Sequence, residues 1–368
     1  MLKLILKDGT EIQGESFGHE LSEGEFMDGE VVFNTGMVGY PETFTDPSYR
    51  GQILVLTYPM IGNYGVPEEV GSEGLSEKFE SQNIHLRGIV VSEACEENTH
   101  WESKKALSEF LKKHKIPALK GVDTRALTQK LREHGVMLGK IVDGSDSFDK
   151  NMEFSDPNAA NLVAEVSVGD KTILKAKGES KATVALLDCG IKHNIIRSFL
   201  ERGVDVIRLP WDYDLSTLNE KYDGVFISNG PGDPEKADKT IASIKWAMEQ
   251  DKKIFGICLG AQLMALAVGA KTYKLKYGHR SANQPCLDII NDEGKRCYIT
   301  SQNHGFAIDE KTLPKAWKVW FRNANDETVE GIKHESKPWL SVQFHPEASP
   351  GPEDAAYLFD EFIEMMEK

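Results

Sequence analysis

Long hydrophobic runs are missing from this chain: no stretch approaches the roughly 20 apolar residues that a bilayer-crossing helix needs. The opening Met1-Leu2-Lys3-Leu4-Ile5-Leu6-Lys7-Asp8-Gly9 carries charge too early for a secretory signal and reads as a first strand entering a turn. A soluble, cytoplasmic chain with no membrane role is therefore expected. Positive charge is in deficit, with 43 Lys and Arg against 58 Asp and Glu and a formal charge of −15. That balance repels phosphate backbones and argues against nucleic acid as a partner. Cysteine is scarce and odd in number: Cys95, Cys189, Cys258, Cys286 and Cys297 are scattered and form no CxxC pair. Neither a disulfide framework nor a zinc site is indicated. A P-loop and a Gly-rich phosphate loop followed by Lys are also absent, so no nucleotide cofactor is expected on this chain.

What remains is the composition of an ordinary globular protein, 40% hydrophobic and 27% charged over 368 residues, enough for two or three domains with cores of their own. The pattern divides in two. Residues 1–150 show strand-like runs at 2–6, 29–33, 52–58 and 86–91, broken by Gly and Pro, then helical candidates at 104–114 and 123–134, the latter opened by Asp123 as an N-cap. This is an α+β, β-rich domain. A polar stretch poor in aromatics, 151–181, reads as a linker. From 182 to 368 short apolar strands (184–187, 204–209, 224–228, 254–257) alternate with amphipathic helices (194–201, 240–249, 259–268), the signature of an α/β domain with a mostly parallel sheet flanked by helices. Ligands are then expected at the carboxyl ends of those strands. A last helix, 353–367, places Ala356, Phe359, Phe362 and Ile363 at helical spacing for a core.

Three segments carry chemistry. In Lys253-Ile254-Phe255-Gly256-Ile257-Cys258-Leu259-Gly260-Ala261-Gln262 an apolar strand meets Gly-x-Cys-x-Gly and then a helix, the layout of a nucleophile elbow. Small residues on either side let the chain turn sharply, and the helix N-terminus favours a thiolate. A buried cysteine in a strand-to-helix turn would give the same segment. In Leu340-Ser341-Val342-Gln343-Phe344-His345-Pro346-Glu347-Ala348, a strand delivers His345 and Pro346 stops the ladder. Glu347 can then fold back to fix the imidazole tautomer; the bland reading is a surface His-Pro turn. In Ile227-Ser228-Asn229-Gly230-Pro231-Gly232-Asp233-Pro234, two glycines free backbone N–H groups to face an anion, or simply close a loop.

Taken in order, Ser-Asn-Gly-Pro-Gly-Asp-Pro, Gly-Ile-Cys-Leu-Gly-x-Gln and His-Pro-Glu-Ala resemble a triad-type glutamine amidotransferase domain. Gln302-Asn303-His304-Gly305-Phe306 and the tail from His345 to Pro352 resemble, more narrowly, the small subunit of carbamoyl phosphate synthetase. So do segments of the first domain: Phe33-Asn34-Thr35-Gly36-Met37-Val38-Gly39-Tyr40, Thr45-Asp46-Pro47-Ser48-Tyr49, Tyr58-Pro59-Met60-Ile61-Gly62-Asn63-Tyr64-Gly65 and Gly121-Val122-Asp123-Thr124-Arg125. The resemblance covers nearly the whole chain.

It implies hydrolysis of L-glutamine to glutamate and ammonia through a cysteinyl thioester. The ammonia would pass to a large synthetase subunit, which makes carbamoyl phosphate from bicarbonate and ATP for pyrimidine and arginine synthesis. ATP, Mg and bicarbonate would belong to that partner. Carried over by position, Cys258 is the nucleophile, His345 the base and acid, and Glu347 the orienting carboxylate. Backbone N–H groups of Gly230 and Leu259 would form the oxyanion hole. Gln262, Gly232, Asn303, Gly305 and Phe306 would line the glutamine pocket, with Ser48 reaching the substrate α-carboxylate. Ala261, Ser281 and Pro41 depart from the family's usual residues without removing a catalytic group. The glutaminase of another amidotransferase, or a catalytically silent regulatory subunit, stands as the competing reading.

Two other groups of residues receive a bland interpretation. Cys189 at the end of the first strand lacks an assigned His-Pro-Glu partner and is expected to pack. His193, His279 and His304 show no spacing such as HxxxH, so they read as hydrogen-bonded pocket or loop residues and no metal site is assigned.

Overall fold

The protein is described by a computed structural model covering all residues except 70, 73, 145–148, 150 and 292–295. It divides into two compact units, Met1–Ala160 and Asn161–Lys368. Among the described residues no helix is long and apolar enough to cross a membrane.

The first unit is built on a closed barrel of seven strands, in the spatial order Leu2–Leu6, Met137–Asp143, Phe26–Asn34, Gln52–Leu56, Gly88–Val90, Ala118–Lys120, Glu11–Ser16. Closure removes the exposed edges that an open sheet would present. The strand Phe26–Asn34 pairs antiparallel with Met137–Asp143 and parallel with Gln52–Leu56, so the barrel is mixed. Some of its apolar side chains, among them Val32, Leu54 and Ile89, join Phe44, Tyr49 and Phe110 in one buried cluster. The helix Thr124–His134 starts where the sequence places it, with the Asp123 carboxylate accepting from Ala126 N at 2.9 Å. Pro41 occupies the first turn of the helix Tyr40–Thr45, after Gly39 at φ 83°, where its missing N–H costs nothing.

The second unit carries a ten-stranded sheet. Its centre is five parallel strands: Val204–Pro210, Ala182–Asp188, Gly224–Ile227, Lys253–Ile257 and Trp339–Val342. The strand–helix alternation anticipates this half. The other half is antiparallel, through Val329–His334, Trp317–Asn323, Lys271–Asp288 and Arg296–Asp309. The last two are long, polar and bulged, so they lack the short apolar runs by which the parallel strands are recognised. One face of the parallel centre is covered by the helices Asp238–Glu249 and Leu259–Ala267. The other carries edge-to-face contacts among Phe199, Phe226, Phe255 and Phe359, with Phe362 beside them. Phe359 and Phe362 come from the terminal helix Tyr357–Glu367.

The second unit begins before residue 182. Leu162–Val166 forms a short helix whose Val163 enters the main core, and Thr172–Leu174 pairs antiparallel with Val204–Pro210 at the sheet edge. Much of the stretch read as a linker is therefore folded into this unit. Its polarity is explained by an edge strand that buries only Leu174. The expected end of the first domain at 150 falls on a residue outside those described.

Candidate active site

The strand Lys253–Ile257 ends at Cys258, whose φ of 56° and ψ of −105° place a non-glycine residue in sparsely populated backbone space. The helix Leu259–Ala267 starts on the next residue. Such a turn leaves no room for a side chain two residues before or two residues after the cysteine. A Cβ on Gly260 would come within 2.2 Å of the Ile227 carbonyl oxygen, and one on Gly256 within 2.8 Å of the Gly260 backbone. The small residues of Gly-x-Cys-x-Gly are thus required by close approach of neighbouring strand and helix. Cys258 N–H donates to Val342 O at 2.8 Å, tying the elbow to the strand that leads to His345. The thiol donates to Asn303 O at 3.6 Å.

The strand Trp339–Val342 ends earlier than the sequence suggests. His345 is nevertheless fixed by a single antiparallel bridge, donating its N–H to Ser301 O at 2.8 Å. Its Nδ1 lies 2.6 Å from Glu347 Oε1. His345 and Glu347 are almost completely buried. His345 Nε2 makes no bond to any other described side chain or backbone group and faces Cys258, which raises the pKa of the imidazole. The thiol and the imidazole therefore face each other, and both the charge of Cys258 and its hydrogen bonding favour the protonated ring. Burial alone would lower the His345 pKa; the charges of Glu347 and Cys258 prevail and lift it to about 10.

Glu347 shows the opposite balance. Burial pushes its carboxyl up, but the Lys192 ammonium, 3.1 Å from Oε1, and His345 hold it down at about 2. Lys192 is buried, donates through Nζ to the Ala348 carbonyl and is held at its own N–H by Asn229 Oδ1 at 3.0 Å. Asn194 Nδ2 donates to the Glu347 carbonyl at 2.5 Å. A buried relay thus runs from Lys192 through Glu347 to His345, with Cys258 beyond its open nitrogen. A thiol, an imidazole with one nitrogen left to face it and a charge-stabilised carboxylate can perform nucleophilic acyl transfer.

The remaining predicted residues divide. Gly230 packs beside the elbow: a Cβ there would meet Cys189 O at 2.0 Å and Leu259 Cδ2 at 2.8 Å. Gln262 is buried in the elbow helix and donates to Phe306 O and Gln343 Oε1, each at 3.0 Å. Asn303 meets the thiol through its carbonyl, and Phe306 follows two residues beyond His304 on the same strand. Gly305 lies near the Arg280 guanidinium. Gly232, at φ 85°, faces Leu162. Ser48 belongs to the first unit, where it is buried in the turn Pro47–Tyr49 and donates its N–H to Asp46 Oδ1 at 2.9 Å. Ser281 Oγ accepts from Gln284 Nε2 at 3.1 Å, and Ala261 is fully buried.

A family profile described as "Carbamoyl-phosphate synthase small chain, CPSase domain" matches residues 4–141, and one described as "Glutamine amidotransferase class-I" matches residues 185–365. The chain is 47% identical to the "Carbamoyl phosphate synthase arginine-specific small chain" of Neosartorya fischeri, over 99% of this chain and 79% of that protein. It belongs to the carbamoyl-phosphate synthase small-chain family.

It is also 52% identical to "Multifunctional protein pyr1-3" of Dictyostelium discoideum, over 98% of this chain and 17% of that protein. Identity to "Multifunctional protein CAD" of Squalus acanthias is again 52%, over 99% and 16%. The chain thus spans about a sixth of the length of these two relatives.

Within this small-chain fold, sequence reasoning overlooked Lys192 while singling out its neighbours Cys189 and His193. The available signal was positional. Lys192 follows the strand Ala182–Asp188 at the carboxyl edge of the parallel sheet, the same edge at which Cys258 emerges. Cys189 is buried, its thiol 3.8 Å from Thr240 Oγ1, and burial raises its pKa to about 12.

Proposed function

We propose that this chain hydrolyses L-glutamine to glutamate and ammonia and supplies the ammonia to a large synthetase chain for carbamoyl phosphate formation. The observation that carries the reading is the strained Cys258 elbow facing an imidazole whose far nitrogen is held by a carboxylate, itself held by Lys192. In this reading Cys258 sulfur attacks the side-chain amide carbonyl of glutamine, and His345 Nε2 passes a proton to the departing ammonia. Glu347 fixes the proton on His345 Nδ1, which leaves Nε2 for catalysis. The developing oxyanion would be met by the N–H groups of Gly230 and Leu259, a role supported by their packing against each other and by the helix N-terminus at Leu259. Water then releases glutamate from the thioester, with the same imidazole serving as base.

Gln262, Asn303, Gly305 and Phe306 are the proposed pocket walls, supported by the bonds from Cys258 to Asn303 and from Gln262 to Phe306. ATP and bicarbonate chemistry is assigned to the large chain, and a cytoplasmic setting is proposed with it. The test is labelling with an electrophilic glutamine analogue, followed by peptide mass mapping. A single adduct on Cys258, blocked by glutamine, is expected; labelling that ignores glutamine or falls on another cysteine would refute the reading.

A further inference from the structure

The antiparallel half of the second sheet places His279 opposite His304 in register, with Glu330 on the strand Val329–His334. All three are more than nine-tenths buried. His279 Nδ1 lies 3.2 Å from His304 Nε2 and 3.3 Å from Glu330 Oε1, and His304 Nε2 lies 3.8 Å from the same oxygen.

The outer hydrogen bonds decide where the protons are. His304 Nδ1 is 2.8 Å from the Phe306 carbonyl, which only accepts, so Nδ1 carries the hydrogen and Nε2 presents a lone pair. His279 Nε2 is 2.8 Å from the Asp326 carboxylate, so in the neutral ring Nδ1 presents a lone pair as well. Gln302 Nε2 donates to Glu330 Oε2 at 3.0 Å, leaving its Oε1 turned toward His304 Nε2 at 3.1 Å. With His279 neutral, two ring lone pairs and a carboxylate oxygen therefore converge on one buried point, and the Gln302 amide oxygen lies beside one of them, His304 Nε2. Buried acceptors that face one another without a positive charge between them repel.

A triangle with sides of 3.2, 3.3 and 3.8 Å has a circumradius of about 2.0 Å, so one point lies that far from all three ligand atoms. Zinc–nitrogen bonds run about 2.0–2.1 Å and zinc–carboxylate bonds about 2.0–2.2 Å. The bonds from His279 to Asp326 and from His304 to Phe306 O are the outer partners that metal-bound imidazoles use to fix tautomer and ring orientation. We propose that His279, His304 and Glu330 form a binding site for a four-coordinate divalent transition-metal ion such as zinc, with Gln302 Oε1 as the additional oxygen. A proton on His279 Nδ1, shared between His304 Nε2 and Glu330 Oε1, is the competing occupant; Glu330 Oε1 also accepts from Thr328 Oγ1 at 3.3 Å and Asn323 Nδ2 at 3.4 Å, donors that would remain beside a bound ion. The ion would clasp the strand around His304, whose preceding residue takes the Cys258 thiol at its carbonyl. The ligands lie on three separate strands, so no short spacing in the sequence reveals them.

The test uses the full chain carrying Cys258→Ser, so that the pocket thiol does not compete, treated with chelator and titrated with Co2+. One cobalt per chain is expected, with visible bands of four-coordinate cobalt and no intense near-ultraviolet sulfur-to-cobalt band. Asp326→Asn, which removes only the outer partner of His279, should weaken cobalt binding by about 10–100-fold in a chain with unchanged circular dichroism. His279→Asn should abolish stoichiometric binding. A folded chain that binds no cobalt above buffer levels would overturn the proposal and assign the cluster to a proton on His279. Binding that survives His279→Asn, or gives only the weak spectrum of six-coordinate cobalt, would overturn it as well.

Discussion

Cys189 and Cys258 occupy closely similar places. Each follows a strand of the same parallel sheet, each is buried, and each has a glycine within two residues. Their chemistry diverges because of the backbone. The chain at Cys258 adopts φ 56° and turns the thiol toward Asn303 O and the His345 imidazole. At Cys189 the left-handed residue is the following Gly190, at φ 112°, and the thiol faces Thr240, where burial raises its pKa to about 12. Position at a strand end supplies access to the site edge. The direction in which the side chain leaves the turn determines whether the sulfur meets a base.

That contrast is tested most severely by Cys258→Ser. Glutamine-dependent carbamoyl phosphate synthesis by the reconstituted two-chain complex should fall to background, because a serine hydroxyl does not form the anion readily. Ammonia-dependent synthesis should persist, since it bypasses the thiol; equal loss of both would overturn the assignment. His345→Ala should also remove most glutaminase activity, by about 10⁴-fold or more, whereas Glu347→Ala should cost about a hundredfold less because water can partly replace an orienting group. Single-turnover thioester formation on both folded variants distinguishes these roles, and equal losses would contradict them.

The legible part of the molecule was the part written in short-range pattern. The parallel strands are apolar runs, the helices between them carry their own periodicity, and the elbow announces itself by glycines that close approach demands. Barrel closure in the first unit was not legible. It depends on pairing Leu2–Leu6 with Met137–Asp143, a contact across most of the unit, and on Glu11–Ser16, where Gly14 is the one buried position. Lys192 was missed for a related reason: a lysine in a loop is ordinarily solvated. Only the fold brings Glu347 within 3.1 Å of it.

Lys192→Met probes the charge that distinguishes the Cys258 neighbourhood. In the intact site Glu347 is depressed to about 2, below the ordinary carboxylate value near 4.5. Its ionised form therefore stabilises the fold above about pH 4.5, and that contribution is lost as the pH falls toward 2. Without Lys192 burial is opposed chiefly by His345, so the carboxyl pKa must rise. The acid limb of the kcat/KM profile for glutamine should move to higher pH, with a loss of about tenfold at neutral pH and partial recovery in alkali. Lys192→Arg should retain more of the low-pH activity than Lys192→Met. A uniform loss at every pH in a folded variant would show that Lys192 only fills space.

The mildest change should come from Cys189→Ala. The thiol is buried against Thr240 and touches none of the groups that hold His345, so its removal deletes one packed sulfur and leaves a small cavity. Losses of this size cost about 1–2 kcal/mol of stability, read as a lowered denaturant midpoint with an unchanged slope. Glutaminase kcat and KM should each remain within about twofold of the parent chain, and labelling of Cys258 by the glutamine analogue should proceed at the parental rate. The neighbouring Gly230 makes this a demanding test, because its backbone lies against the Cys189 carbonyl and beside Leu259. If side-chain packing at Cys189 set the position of Gly230, Cys189→Ala would slow thioester formation while leaving the KM for glutamine intact. That outcome would make the first-strand cysteine a positioning residue and remove the division between the two strand ends. An unchanged rate alongside a measurable loss of stability would confine Cys189 to the core.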